Sequence, residues 1–158
     1  MLYSRRTLCL SAIAISIVGC GKGTAKAKSF PFTLTDAEWR KRLSPAAYQT
    51  LRREATERPF TSPLNSEKRK GTFACKGCGQ SLFSSAHKYD SGTGWPSFWQ
   101  PVKPGALGKK TDTLLGYTRT EVHCGNCGGH QGHVFDDGPK PTGERWCING
   151  VALTFKAG

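Results

Sequence analysis

The sequence predicts a single, mainly β domain that is built from antiparallel sheets and introduced by short helices. Both helical patterns in the chain end before Pro59, whereas short apolar or alternating runs separated by turn residues fill the chain beyond Gly71. Turn-rich connections of this length favour antiparallel pairing over parallel strands joined by crossover helices. At 158 residues, with 19 glycines, the chain is long enough for one domain with a real core but not for two.

Residues 1–19 have the pattern of an export signal. An arginine pair at 5–6 precedes an apolar run over 8–18, which is shorter than the ~20 residues that cross a bilayer as a helix. The arginine pair resembles a twin-arginine signal, and residues 17–20 resemble a lipobox, which predicts lipidation of Cys20. The protein is therefore expected on the periplasmic side of a bacterial membrane, anchored through Cys20. A plain signal peptide cut elsewhere, or an uncleaved anchor, is the alternative.

The predicted domain occupies residues 35–158 and is joined to the signal by a tether over residues 20–34. The segment that follows Cys20 is small, polar and basic, and it offers nothing to bury. Such a composition predicts a flexible spacer rather than part of the fold.

Two helices are predicted at the start of the domain, over residues 36–43 and 45–56. Thr35 and Glu38 stand in the register of a capping box for the first helix. Ser44 followed by a proline has the pattern of an N-cap and first turn for the second. The side chains predicted to face the core are Trp39, Leu43, Ala47, Tyr48 and Leu51.

The remainder of the domain is predicted to be strands. Its apolar or alternating runs are short and are bounded by glycine, proline, asparagine and aspartate. The predicted strands are residues 72–75, 81–83, 114–122, 133–135, 146–148 and 151–155.

The chain is strongly basic, because its 23 lysines and arginines exceed its 11 aspartates and glutamates by 12. A basic protein invites comparison with nucleic-acid and membrane-surface binders. The charges are scattered along the chain and form no block with interleaved aromatic residues, so nucleic-acid binding is not expected. The excess charge suits a solvated surface near an anionic membrane.

Four cysteines form two C-x2-C pairs, Cys75 with Cys78 and Cys124 with Cys127, in glycine-rich knuckles. Four thiolates satisfy the tetrahedral preference of zinc and leave no open position, so the pattern predicts one structural zinc per chain. Two disulfides, redox-active pairs and an iron site are the alternatives.

Cys147 belongs to neither pair and lies in a short predicted strand. Because strand side chains alternate, Arg145, Cys147 and Asn149 are expected on one face. His130 and His133 lie upstream, before a turn that can fold them toward that face. A nearby cation favours the reactive thiolate. A small buried hydrophobe is the alternative for a lone cysteine.

Three further motifs fall in the order of a known family: KYDSGTGWPSF at 88–98, RTEVHCGNC at 119–127 and GHVFDDGPKPTGERWCIN at 132–149. Together with the paired C-x2-C motifs they resemble the methionine-R-sulfoxide reductases, the B type of peptide methionine sulfoxide reductase, over about 59–155. The resemblance implies a fold of two antiparallel sheets with a few helices. It also supports zinc, which family members bind.

The resemblance further implies the reaction and the roles of its residues. Cys147, as a thiolate, attacks the sulfur of a methionine-R-sulfoxide, and the oxygen must be protonated to leave. His133 and Asn149 match positions that contact the oxygen, and Trp95 matches the indole whose face receives the substrate methyl group. The positions that orient water, hold an imidazole or favour the thiolate are matched by His130, Asp137 and Arg145.

One position departs from the family pattern. Thr93 stands where many members carry a second, resolving cysteine. The oxidised Cys147 is therefore expected to be reduced directly by an external thiol, of a thioredoxin-like or other reductant.

Three functions remain open on the sequence alone. The leading one is an exported repair enzyme, expected to be a monomer, acting on oxidised proteins or peptides. The others are an exported zinc-ribbon binding module and a thiol-disulfide oxidoreductase.

Overall fold

The computed structural model describes residues 29–158, so the predicted export signal and the lipidation of Cys20 lie outside the described residues. Two helices open the described chain: α1 spans Asp36–Arg42 and α2 spans Pro45–Arg53. Both predicted N-caps are confirmed, since the Thr35 capping box is complete and the Ser44 hydroxyl caps α2. The second helix ends before the predicted residue 56, because the backbone turns left-handed directly after Arg53.

Nine strands make up two antiparallel sheets in the described chain. The strands are β1 Gly71–Cys75, β2 Ser81–Ser84, β3 Lys88–Tyr89, β4 Ser97–Phe98, β5 Leu107–Asp112, β6 Arg119–Cys124, β7 His130–Phe135, β8 Arg145–Ile148 and β9 Leu153–Ala157. The smaller sheet has the order β2-β1-β9, and the larger has the order β3-β4-β8-β7-β6-β5. The predicted mainly β class is confirmed.

The core lies where the helices and the inner faces of the sheets meet. Phe98 of β4 stacks on Phe83 of β2 with ring centroids 4.2 Å apart, and its edge meets Phe73 of β1 at 5.0 Å. Trp146 and Val134 extend this layer across the larger sheet. All five side chains predicted to face the core from the helices are buried.

The predicted starts of two strands, at residues 114 and 151, are wrong. Residues 114–118 form an exposed turn rather than the start of β6, because the Asp112 side chain accepts from the Leu114 amide at 2.8 Å. Gly150–Ala152 form a 3-10 turn before β9, because the Glu57 carboxylate accepts from the amides of Gly150 and Val151.

Three strands escaped prediction for physical reasons. Strands β3 and β4 are two residues long, too short for any alternation. Strand β5 is an edge strand with the sequence LGKKTD, in which no residue is fully buried, and charged edges of this kind prevent unwanted pairing.

The ordered domain begins before residue 35, where the sequence placed its boundary. The Phe32 amide donates to the Asn126 carbonyl at 2.9 Å, and the Phe32 ring packs edge-on against Trp39. The Phe30 ring likewise packs edge-on against the His123 ring. The end of the predicted tether is therefore part of the fold. Across the described chain, no helix is long and apolar enough to cross a membrane.

Candidate active site

One transverse row of the larger sheet carries the candidate chemistry. Across β4, β8, β7, β6 and β5 the paired residues are Ser97, Cys147, His133, Glu121 and Lys110. Directly paired residues point to the same face of a sheet. The thiol and the imidazole are therefore neighbours because their strands pair in this register.

A bulge in β7 places both histidines on that face. Val122 pairs with Gly132 and His123 with His130, which leaves Gln131 without a strand partner. The extra residue reverses the alternation, so the rings of His130 and His133 lie 5.6 Å apart. Gly132 is required in this strand, because a Cβ there would come within 2.1 Å of the Cys147 carbonyl oxygen.

His133 is held by an aspartate that the sequence analysis missed. Nε2 of His133 lies 2.7 Å from Oδ2 of Asp112, which also accepts from Arg119 at 2.5 Å. The Leu114 amide and the His133 ring hold the pKa of Asp112 well below its usual range. Burial lowers the pKa of His133, so its ring is neutral at neutral pH in this site.

His130 lies one step behind His133 and is fully enclosed. Its Nδ1 contacts Oε1 of Glu121 at 2.7 Å, and Lys110 contacts the other carboxylate oxygen at 3.1 Å. The buried carboxylate of Glu121 therefore has a partner at each oxygen, as a buried carboxylate requires.

Asp137 contacts Arg145 and not an imidazole, which had been one of its predicted roles. Both carboxylate oxygens of Asp137 accept from the Arg145 guanidinium, at 2.8 and 2.9 Å. The guanidinium also lies 4.3 Å over the ring of Phe135. These contacts fix the cation beside Cys147.

A small cavity of ≈ 110 Å³ opens at Cys147. Its walls are Thr56, Trp95, Arg119, Gly132, His133, Phe135, Cys147 and Asn149. The indole N–H of Trp95 donates to the Glu57 carbonyl at 3.1 Å, and the Asn149 amide bridges the Gln131 carbonyl and the Glu57 amide. A larger groove of ≈ 730 Å³ between α2 and β9 holds neither Cys147 nor His133. The chemistry therefore places the candidate site in the smaller cavity.

The environment of Cys147 keeps it protonated. Burial raises the pKa of the Cys147 thiol, while the Thr93 hydroxyl, 3.8 Å from Sγ, and the Arg145 charge act in the opposite direction. The Arg145 charge lowers the pKa of Cys147, but burial is the larger effect. The resting site is therefore a neutral thiol beside a neutral imidazole.

The two C-x2-C pairs converge into one cluster away from this cavity. The four Sγ atoms lie within 4.8 Å of one another, with 3.7 Å between Cys75 and Cys127 and 3.6 Å between Cys78 and Cys124. A disulfide needs about 2.05 Å, and all four thiols are free. Tetrahedral ligands at about 2.3 Å from a zinc ion stand about 3.8 Å apart. The donor set therefore fits a metal ion.

Comparison with known proteins agrees with this geometry. A family model for the SelR domain matches residues 43–157. The chain belongs to this family. Curated relatives bear the name peptide methionine sulfoxide reductase MsrB. The Agrobacterium fabrum protein is 52% identical over 122 residues, covering 77% of this chain and 90% of the relative. The Leptospira interrogans protein is also 52% identical, over 77% of this chain and 93% of its own. The Pseudomonas putida protein is 55% identical, over 75% of this chain and 90% of its own.

The MsrB-type cavity brings together most of the residues that the sequence singled out. Cys147, His133, Asn149 and Trp95 share its wall. Arg145 and Asp137 line a separate depression together with Thr93, which contacts Cys147. His130 reaches the site through its contact with the His133 ring.

Four supporting residues escaped the sequence analysis: Glu57, Asp112, Arg119 and Glu121. Arg119 and Glu121 lie inside the motif RTEVHCGNC, so a signal for them existed. Asp112 ends the edge strand that was not predicted, and Glu57 lies in a loop far from the site in sequence. Only tertiary structure brings these two to the cavity.

We expect Cys147 of the substrate-free protein to be alkylated by iodoacetamide slowly at neutral pH. Its pKa is raised, so the thiolate fraction and the alkylation rate should increase with pH, with a midpoint above the ordinary cysteine value of about 8.5. Arg145→Gln should move the midpoint higher, because it removes a favourable charge. The matched control Arg40→Gln, on exposed α1, should leave it unchanged. A midpoint below the ordinary value would contradict this electrostatic account.

Proposed function

We propose that the protein reduces methionine-R-sulfoxide in peptides and proteins to methionine, as an exported repair enzyme. The observation that carries the proposal is the pairing of Cys147 with His133 across two strands, at a cavity walled by the Trp95 indole. Membership of a family whose curated relatives are named methionine sulfoxide reductases supports the same reaction.

The proposed reaction begins with a proton transfer. A carboxylate only accepts hydrogen bonds, so Asp112 fixes the proton of neutral His133 on Nε2 and leaves Nδ1 free to accept one. The Cys147 thiol gives its proton toward that ring and attacks the sulfoxide sulfur as a thiolate. The protonated ring then returns the proton to the sulfoxide oxygen.

The protonated oxygen then passes from the substrate sulfur to the Cys147 sulfur, and the bond between the two sulfurs breaks. Methionine is released and Cys147 is left as a sulfenic acid. The substrate sulfur gains two electrons, and the Cys147 sulfur loses two. Arg145 stabilises the thiolate while it exists, and Asn149, fixed by two hydrogen bonds, presents its amide edge to the oxygen. Trp95 offers an apolar wall to the S-methyl group in the cavity where Asn149 supplies a polar edge, so the two together select one epimer.

Regeneration requires an external thiol in this proposal. Thr93 contacts Cys147 at the position that a resolving cysteine would occupy, and a hydroxyl forms no disulfide. The other described cysteines all belong to the four-cysteine cluster. Two reductant thiols, from a thioredoxin-like partner or a small thiol, then return Cys147 to the thiol and leave as a disulfide and water.

We further propose that the cluster holds one structural zinc. Its sulfur spacing suits tetrahedral coordination by Cys75, Cys78, Cys124 and Cys127, and a closed shell supplies fold stability rather than catalysis. Export by the twin-arginine route would load the metal before translocation. Attachment to a membrane on the periplasmic side through Cys20, and a monomeric state, are part of the same proposal.

Cys147→Ser should abolish reduction of N-acetyl-methionine-R-sulfoxide with dithiothreitol, because an alcohol cannot take the oxygen. His133→Ala should lower kcat by about 100-fold to 10,000-fold, the usual range for lost acid-base catalysis. Asn149→Ala should also lower it strongly. The matched control His87→Ala removes a histidine outside the cavity and should leave turnover unchanged. The S epimer should not react with the parent enzyme. Substantial activity in Cys147→Ser would refute the assignment.

Metal analysis should find about one equivalent of zinc in the purified protein. Cys78→Ser should lose the metal and lower the unfolding temperature, because it removes one ligand of a site that joins distant loops. The matched cysteine control Cys147→Ser should keep both the metal and the stability. Intact mass showing two disulfides in a metal-free chain would exclude the zinc site.

Thr93→Cys should form a disulfide with Cys147 after one turnover without reductant, seen as a loss of two hydrogens in the mass. Thr93 Oγ1 lies 3.8 Å from Cys147 Sγ, so a sulfur at this position needs to move by less than about 2 Å to reach the disulfide length of about 2.05 Å. The parent should instead yield a sulfenic acid that dimedone traps. A Cys20 to Cys147 disulfide in the parent, found by peptide mapping, would overturn direct reduction.

A further inference from the structure

Exposed apolar side chains concentrate beside the candidate active site. Of the large hydrophobic side chains that the structure describes as exposed, three lie in one turn, residues 113–118: Leu114, Leu115 and Tyr117. Leu114 is 81% exposed and Leu115 59%. Leaving such side chains in water is unfavourable, and a cluster of them is typical of a binding surface.

This turn borders the catalytic cavity directly. Leu114 and Leu115 line a second cavity of ≈ 270 Å³, which shares Thr56, Arg119 and His133 with the cavity that contains Cys147. The two cavities are therefore neighbours along the His133 side of the site.

The turn is held in place by the same carboxylate that holds the imidazole. Asp112 accepts from the Leu114 amide at 2.8 Å and contacts His133 and Arg119 through its other oxygen. The Gly116 amide closes the turn on the Thr113 carbonyl at 3.0 Å. A surface that is fixed before binding costs little ordering when a ligand arrives.

The catalytic cavity has room for one side chain only. At ≈ 110 Å³ it lies well below the roughly 300–1,000 Å³ of sites that enclose a whole small ligand. The residues on either side of a bound methionine sulfoxide must therefore lie outside it, along its rim.

Ionic groups of the second cavity are already paired. Glu54 contacts Lys110 at 2.6 Å, Glu121 contacts His130 at 2.7 Å, and Asp112 contacts Arg119. Each carboxylate of the second cavity thus already contacts a partner within the chain, and the two leucines favour an apolar neighbouring residue.

We propose that the 113–118 turn binds an apolar side chain adjacent to the methionine sulfoxide in an extended segment of an oxidised polypeptide. This rests on the proposed function and narrows its substrate class to unfolded apolar segments, such as those that damage exposes from protein cores. Leu114 and Leu115 act in substrate binding and take no part in the chemical step.

The test compares three substrates of equal charge on the metal-loaded full chain. These are N-acetyl-methionine-R-sulfoxide amide, a pentapeptide capped at both ends with leucine on both sides of the R-sulfoxide, and the same peptide with serine on both sides. The double variant Leu114→Ser, Leu115→Ser is matched by the control Val102→Ser, another exposed apolar residue. We expect the parent and the control to prefer the leucine peptide about tenfold in kcat/KM, the scale of a modest apolar contact.

The double variant should lose this preference through a higher KM while keeping its kcat/KM on the single amino acid. No preference in the parent, or a preference that survives in the double variant, would overturn the inference. Equal loss on all three substrates would also overturn it, because the turn would then only support His133. Light scattering could instead show that the parent is a dimer and the double variant a monomer. That result would assign the surface to a second copy of the chain. If no sulfoxide reacts with the parent, the proposed function itself fails.

Discussion

The convergence of four cysteines on one point is the constraint on which the rest of the structure depends. Strand β1 of the smaller sheet ends at Cys75, and strand β6 of the larger sheet ends at Cys124. Their sulfurs join the ends of two sheets that share no hydrogen-bonded strand. The four sulfurs, which can hold a metal ion, therefore lie where the ends of the two sheets meet.

The cysteine cluster and the cavity at Cys147 are connected through one buried residue. The side-chain amide of Gln131 donates to the Cys75 sulfur at 3.5 Å, and the backbone carbonyl of Gln131 accepts from the Asn149 side chain. Gln131 is also the extra residue of the bulge that brings His130 and His133 to one face. One residue thus links the cluster, the strand register and the polar edge of the cavity.

Burial and ion pairing together keep the resting site neutral. Arg145 is committed to Asp137, and Asp112 to Arg119, so the charges around Cys147 are already compensated. A thiol in such surroundings keeps its proton until a partner accepts it. The register of β7 and β8 places the neutral ring of His133 one strand away from this thiol.

Local sequence chemistry was enough to predict much of this protein. The capping residues Thr35 and Ser44 define both helix starts, because a cap depends only on its next few residues. The C-x2-C spacing and the motifs around Trp95 and Cys147 predicted the cysteine cluster and the family, since these signals are short and specific.

Only the tertiary structure decided which residues that are distant along the chain come into contact. The partner of His133 proved to be Asp112, whose edge strand has no apolar alternation to reveal it. Asp137 binds Arg145, and Glu57 reaches across from its loop to anchor the turn after Asn149. The net pKa of Cys147 likewise depends on how deeply three strands and a loop enclose it. Sequence spacing specifies which groups are available, whereas strand register and burial decide which of them meet and which charge state they hold.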